Sequence, residues 1–184
     1  MFFFSQNSNF VFKSNSIEFA YLSILNDDLS RAKSIFSSID SSRAKWGKAL
    51  VGILEGYLDS YPTYFQIRNY IEIDLDFLIK NNKIDYVELL LGSTEHLIIT
   101  NQETYKYIAR ALYENNFYKI AKVYMDKSKE IFYNDPELHF IYAKYFININ
   151  NLRKALFYIN ECLKIVPNYY PAILLKEKIL LNLA

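Results

Sequence analysis

Three asparagines, Asn82, Asn116 and Asn150, stand 34 residues apart, and each lies between two segments of helical apolar periodicity. A fixed internal period of this length means that one supersecondary unit is built repeatedly and buries its apolar surface by stacking on its neighbours. Aligned on the asparagines, the windows are 68–101, 102–135 and 136–169. The last two share seven identities in register: Glu103/Glu137, Ala109/Ala143, Asn116/Asn150, Ala121/Ala155, Tyr124/Tyr158, Ile131/Ile165 and Asn134/Asn168. In both, an alanine in the middle of one helix is followed twelve residues later by an alanine near the start of the next. Small side chains there let antiparallel helices approach closely, and larger ones around them fill the remaining space.

Composition agrees with long helices. The chain of 184 residues is 52% hydrophobic, with 17 tyrosines and 14 phenylalanines, and holds only 4 glycines and 4 prolines. All-β folds need turn residues far more often. The richness in Ile, Asn, Lys, Tyr and Phe reads as the coding bias of an AT-rich bacterial genome and says nothing of function.

The pattern resembles the tetratricopeptide (TPR) repeat, most clearly over 102–169. Window 102–135 supplies Tyr105, Ala109, Leu112, Ala121 and Met125 at the family's packing positions. Window 136–169 supplies Ala143, Phe146, Ala155, Ile159 and Pro167, with His139 where an aromatic is usual. Segment 13–46 is similar in a degenerate way through Ala20, Ala32 and Phe36. Window 68–101 departs, because Leu75 and Val87 replace the small residues, so its helices should pack further apart or at another angle. The resemblance implies an all-α fold: a right-handed helical-repeat solenoid of antiparallel helix pairs with a terminal helix. The expected organisation is a lead-in over 1–13 and one domain over 14–184, irregular around 47–67, where the 34-residue register breaks.

The expected helices cover 16–26, 28–39, 42–60, 62–80 with a break near Ile67, 83–97, 102–115, 117–132, 136–149, 151–165 and 171–183. Asn15 with Glu18, and Thr100 with Glu103, have capping-box spacing. Pro62 suits a first helical position.

The formal net charge of +1 provides no field for nucleic acid, although residues 54–101 carry net −5 and residues 102–184 net +4. Tyr105-Lys106-Tyr107 has the look of a stacking surface, but the acidic middle argues against nucleic acid. The single cysteine, Cys162, excludes an internal disulfide and fits a reducing cytoplasm and a packing role. No stretch approaches the roughly 20 apolar residues of a membrane span, and residues 1–12 lack the regions of a signal peptide. No metal, cofactor or catalytic set stands out. The glycines are scattered, Asp74, Asp76 and Asp85 do not have calcium-loop spacing, and Ser93, Thr94, Glu95 and His96 share one turn of chain.

In the family the first helix of each pair lines a concave groove. The resemblance places Asp76, Arg110, Lys144 and Lys178 on one rail of that groove. Lys106 lies a turn before Arg110, and Tyr107, Tyr113 and Phe140 border the rail. Cations flanked by aromatics suit an acidic or aromatic peptide segment. The family's clamp for a C-terminal carboxylate is not reproduced, since Glu72, Asp76, Glu103 and Tyr107 stand at its places. The leading expectation is a non-catalytic adaptor that binds a protein or peptide segment in this groove. A second reading is a self-associating module that forms a homodimer through Ile173, Leu174, Ile179, Leu180 and Leu181, because an end helix should otherwise turn a polar face outward. A third is an accessory module of a bacterial enzyme such as a glycosyltransferase.

Overall fold

A computed structural model describes residues 16–58 and 61–182. Among these residues the chain is all-α, with eleven helices and no strand: α1 (Ile17–Leu25), α2 (Leu29–Ser37), α3 (Ser42–Leu54), α4 (Tyr64–Lys80), α5 (Ile84–Gly92), α6 (Thr94–Thr100), α7 (Thr104–Glu114), α8 (Tyr118–Ile131), α9 (Pro136–Asn148), α10 (Leu152–Ile165) and α11 (Tyr170–Leu181). None is long and apolar enough to cross a membrane.

The asparagines at 34-residue spacing have a common conformational reason. Asn82, Asn116 and Asn150 have φ of 56°, 67° and 57°, and Asp27 joins them at 60°. Asparagine and aspartate tolerate this left-handed region better than other side-chain-bearing residues. Each turn closes alike: the Asn116 amide donates to the Tyr113 carbonyl and the Phe117 amide to the Leu112 carbonyl, and Asn150/Asn151 repeat this on Ile147 and Phe146. Such paired bonds satisfy the last carbonyls of a helix while reversing the chain. Gly56, with φ of 85°, ends α3 in the same way.

Chain contacts divide the molecule into two compact units, residues 1–60 and 61–184. The boundary falls inside the 47–67 segment where the repeat register breaks. In the first unit α1 packs on α2, and α2 on α3. Trp46 is fully buried there. A Cβ on Gly47 would lie 2.5 Å from the Phe36 ring, so α2 and α3 approach too closely for any side chain at that point.

In the second unit α4 lies along α7, α7 along α8, α9 along α10, and α10 along α11. The alanines sit where the paired helices meet: Ala109 with Ala121 and Ala143 with Ala155 are fully buried, as are Ala20 and Ala32 in the first unit. Tyr105, Leu112 and Met125 fill one pair, and Phe146, Ile159 and Cys162 fill the other. Window 68–101 behaves differently. Leu75 and Val87 are buried, but α4 and α5 meet over a shorter stretch, and α4 packs mainly on α7.

Several boundaries differ from expectation. The helix expected over 83–97 is two helices, because the chain bends at Ser93, whose hydroxyl donates to the Leu90 carbonyl. The α3 helix stops at Leu54, at the Gly56 turn. Pro62 precedes the α4 cap, and the capping box is Thr63 with Gln66, whose backbone and side-chain bonds are reciprocal at 3.3 and 2.8 Å. The α4 helix runs unbroken through Ile67 because that residue is fully buried. Ser16 caps α1 through a 3.2 Å bond from the Phe19 amide; the expected cap at Asn15 lies outside the described residues. Thr100 ends α6 and caps nothing, and Asn101 instead accepts the Glu103 amide at 2.9 Å.

Candidate functional site

The first helices of the second unit, α4, α7 and α9, are tied together along one side by polar side chains. Glu72 on α4 accepts two bonds from the Arg110 guanidinium on α7, at 2.6 and 2.5 Å. Asp76 accepts from Asn115 at 2.8 Å. Across to α9, Lys144 meets Glu114 at 2.5 Å and lies 4.9 Å over the Tyr113 ring, while the Asn148 amide donates to the Tyr113 hydroxyl at 2.8 Å. Partners separated by about one repeat plus or minus one helical turn therefore form a ladder across neighbouring helices.

Lys106 anchors one end of this ladder. Its side chain is 7% exposed, and the ammonium lies 2.6 Å from Asp135, 3.1 Å from Glu103 and 3.2 Å from Glu137. Burial pushes its pKa down, but the hydrogen bonds and charges of Asp135 and Glu103 overcome this and hold it above the ordinary lysine value. Asp135 serves two elements at once. One oxygen caps α9 by accepting the Glu137 and Leu138 amides at 2.9 and 3.1 Å, and the other accepts from Lys106. Glu103 is bonded by the Tyr64 and Tyr107 hydroxyls, both at 2.8 Å.

Burial raises the Glu103 pKa, yet the bonds from Tyr107, Tyr64 and Lys106 and the Lys106 charge reverse that shift and bring it to about 2 from an ordinary 4.5. The carboxylate therefore stabilises the fold fully above about pH 4.5, and that contribution is lost as pH falls from 4.5 towards 2. Urea denaturation between pH 3 and pH 7 should show stability falling with acid in the wild type and a flatter profile in Glu103→Gln. Parallel profiles would contradict the shift.

The expected groove residues thus fall into distinct classes. Lys106, Tyr107 and Tyr113 are buried; Arg110, Lys144 and Phe140 are half-buried; Lys178 is exposed on α11. Phe140 sits edge-on to Tyr169 at 5.4 Å. The cations on the ladder are therefore not bare, because carboxylates from neighbouring helices hold each of them. Glu72, Glu114 and Asp135, which were not expected to contribute, complete the arrangement. Their separations of 38, 30 and 29 residues from Arg110, Lys144 and Lys106 follow the repeat period, which is the signal that identifies them.

The residues expected for self-association separate in the same way. Leu174, Leu180 and Leu181 are 46%, 46% and 81% exposed, Ile173 is half-buried, and Ile179 is buried at 1%. Ile179 is removed from any such surface because it faces inward, in the last turns of α11.

Cys162 is buried, and Ser93, Thr94 and Glu95 are engaged in local bonds. Burial raises the Cys162 thiol to about 11. Ser93 and Thr94 hydroxyls donate to carbonyls of the preceding turn, and Glu95 pairs with Lys127 and Tyr105. Among the described residues no group of three His, Cys, Asp or Glu side chains is placed to hold a metal ion.

His139 is 1% exposed and lies 5.3 Å from the Tyr133 ring and 5.9 Å from that of Tyr158, with neither ring nitrogen in a well-formed hydrogen bond. Burial lowers its pKa despite the pull of the Tyr133 carbonyl towards protonation. An imidazole with no well-formed hydrogen bond in an aromatic slot costs about 1–3 kcal/mol. His139→Phe should therefore raise stability by about 1–2 kcal/mol at pH 7. The sign extends to acid: a depressed histidine pKa makes the wild type lose stability as pH falls below the ordinary 6.5, so the advantage of His139→Phe should widen there. Denaturation midpoints at pH 7.5 and pH 5.5 check both statements; a destabilised variant would mean that the imidazole has a polar partner.

No protein-family model matches the chain, and no curated protein or solved structure is significantly similar to it.

Proposed function

We propose that the chain is a non-catalytic helical-repeat module of the TPR type that holds a segment of another protein against the face formed by α4, α7 and α9. The single observation that carries this reading is the cross-helix ladder of Glu72–Arg110, Asp76–Asn115, Glu114–Lys144 and Tyr113–Asn148. Long polar side chains are ordinarily mobile, and a docking segment must freeze them at about 0.5–1.5 kcal/mol each. Here they are already held by their neighbours, so an incoming segment meets a preorganised surface. The aromatic rings of Phe140 and Tyr169 supply apolar area beside it. The buried alanine pairs and the left-handed asparagines at 34-residue spacing support the repeat assignment. The burial of Cys162 and His139 and the local bonds of Ser93 and Thr94 favour a binding role over a catalytic one.

Arg110 holds Glu72, so reversing its charge would disturb the fold as well as the face. Phe140→Ala/Lys144→Ala is the cleaner test, since both side chains are half-buried and neither caps a helix. Quantitative co-purification should show partner recovery reduced at least tenfold, with an unchanged helical signal in circular dichroism. Undiminished recovery from a folded variant would reject this face.

A second reading is homodimerisation through α11, favoured by the exposed Leu174, Leu180 and Leu181. Leu174→Lys/Leu181→Lys should then convert a dimer to a monomer in light scattering. A wild-type monomer at micromolar concentration would dismiss it.

A further inference from the structure

Where the turn between α8 and α9 passes the start of α7, the surface opens into a depression of about 650 Å³. One wall is apolar, with Phe132 and Tyr133 exposed at 37% and 49%. The other carries Glu103, Asp135 and Glu137 around Lys106. Three carboxylates and one ammonium leave this lining at −2.

We infer that this depression docks a basic, apolar-flanked segment of a partner protein, an arginine or lysine side chain engaging Glu137 and Glu103 while its neighbour rests on Phe132 and Tyr133. The inference builds on the adaptor reading and names the chemistry of the partner. It also reverses the polarity that the lysines and arginine suggest in sequence, because those cations are already neutralised.

The state of each carboxylate decides the occupant. Both Asp135 oxygens are engaged, one by the α9 cap and one by Lys106. Glu103 holds Lys106, Tyr64 and Tyr107. What remains is accepting capacity at the rim, chiefly on Glu137, which is 48% exposed and lies 3.2 Å from Lys106 and 3.6 Å from Arg110. Scattered single acceptors suit the N–H donors of an ammonium or guanidinium; a hard divalent ion needs about six oxygens converging on one point. An aromatic wall accepts an aliphatic stem and attracts the cation that it carries. The volume exceeds what one side chain fills, which suits a stretch of chain.

The test is fluorescence anisotropy with a short fluorescein-labelled peptide of alternating arginine and leucine, beside the same peptide with glutamate for arginine. The arginine peptide should bind, the glutamate peptide should not, and higher salt should weaken binding. Tyr133→Ala/Glu137→Gln should reduce affinity at least tenfold, and Phe132→Ala should reduce it separately, whereas Asp85→Asn, at an exposed position of α5 outside the depression, should change nothing. The inference is overturned if neither peptide binds, if the glutamate peptide binds as well, or if the two depression variants bind like the wild type. Displacement of the arginine peptide by equimolar spermidine would also overturn it, by assigning the site to a free polyamine. Failure here leaves the adaptor reading to the Phe140/Lys144 result, and undiminished partner recovery in that variant removes the ladder face while the peptide titration still decides the depression.

Discussion

Replacing Lys106 with alanine is expected to destabilise the second unit by about 3–5 kcal/mol, the range observed when one member of a buried ion pair is removed. The cause is what remains behind. Asp135, Glu103 and Glu137 converge on the ammonium within 3.2 Å, and without it they face one another in a partly buried place. Asp135 cannot turn away, because its other oxygen caps α9. Lys106→Met retains most of the aliphatic stem and isolates the loss of charge. Adding Asp135→Asn to Lys106→Met should recover part of the loss, since an amide oxygen can still cap a helix without carrying charge. Urea denaturation of the three variants at pH 7 measures this coupling. A loss below about 1 kcal/mol, typical of exposed pairs, would show that solvent screens the cluster.

Widening the alanine contacts is the second large effect. Ala121→Leu and Ala155→Leu should each cost about 1–3 kcal/mol, because both alanines are fully buried where paired helices meet and extra methylenes have no space. The two lie in different helix pairs, α7 with α8 and α9 with α10, so the double variant should approach the sum, about 2–6 kcal/mol. Val87→Leu is the internal control. Val87 occupies the equivalent place in a pair whose helices meet over a shorter stretch, and the chain there has more freedom to adjust. Thermal or urea unfolding compares the three. Equal costs would mean that the alanines are not the points of closest helix approach.

These two experiments probe what was legible in the sequence to different degrees. The alanine contacts were legible because they depend on a short period: two small residues twelve apart across a turn face each other whenever the turn is tight. The Lys106 cluster was not, since its principal partner arrives from 29 residues away. Sequence spacing put Lys106, Arg110 and Lys144 on one side but said nothing of Glu72, Asp135 and Glu114 beside them. Capping signals failed for a related reason. Thr100 and Glu103 have the spacing of a capping box, yet Asn101, one residue on, accepts the Glu103 amide and Thr100 closes the preceding helix. Local signals of similar strength compete there, and packing selects among them.

The helical class, the placing of Asn82, Asn116 and Asn150 between helices and the alanines at the helix crossings can all be read from the sequence; the left-handed conformation of those asparagines is seen only in the fold. The first three follow from backbone preference and apolar periodicity within one or two helices of chain. Tertiary structure alone decided which charges are paired, that Ile179 faces inward, that the chain bends at Ser93, and that Gly47 lies against Phe36. It also decided the sign of the surface beside Lys106. Electrostatics and close packing depend on distances between residues remote in the chain, and only folding sets those distances.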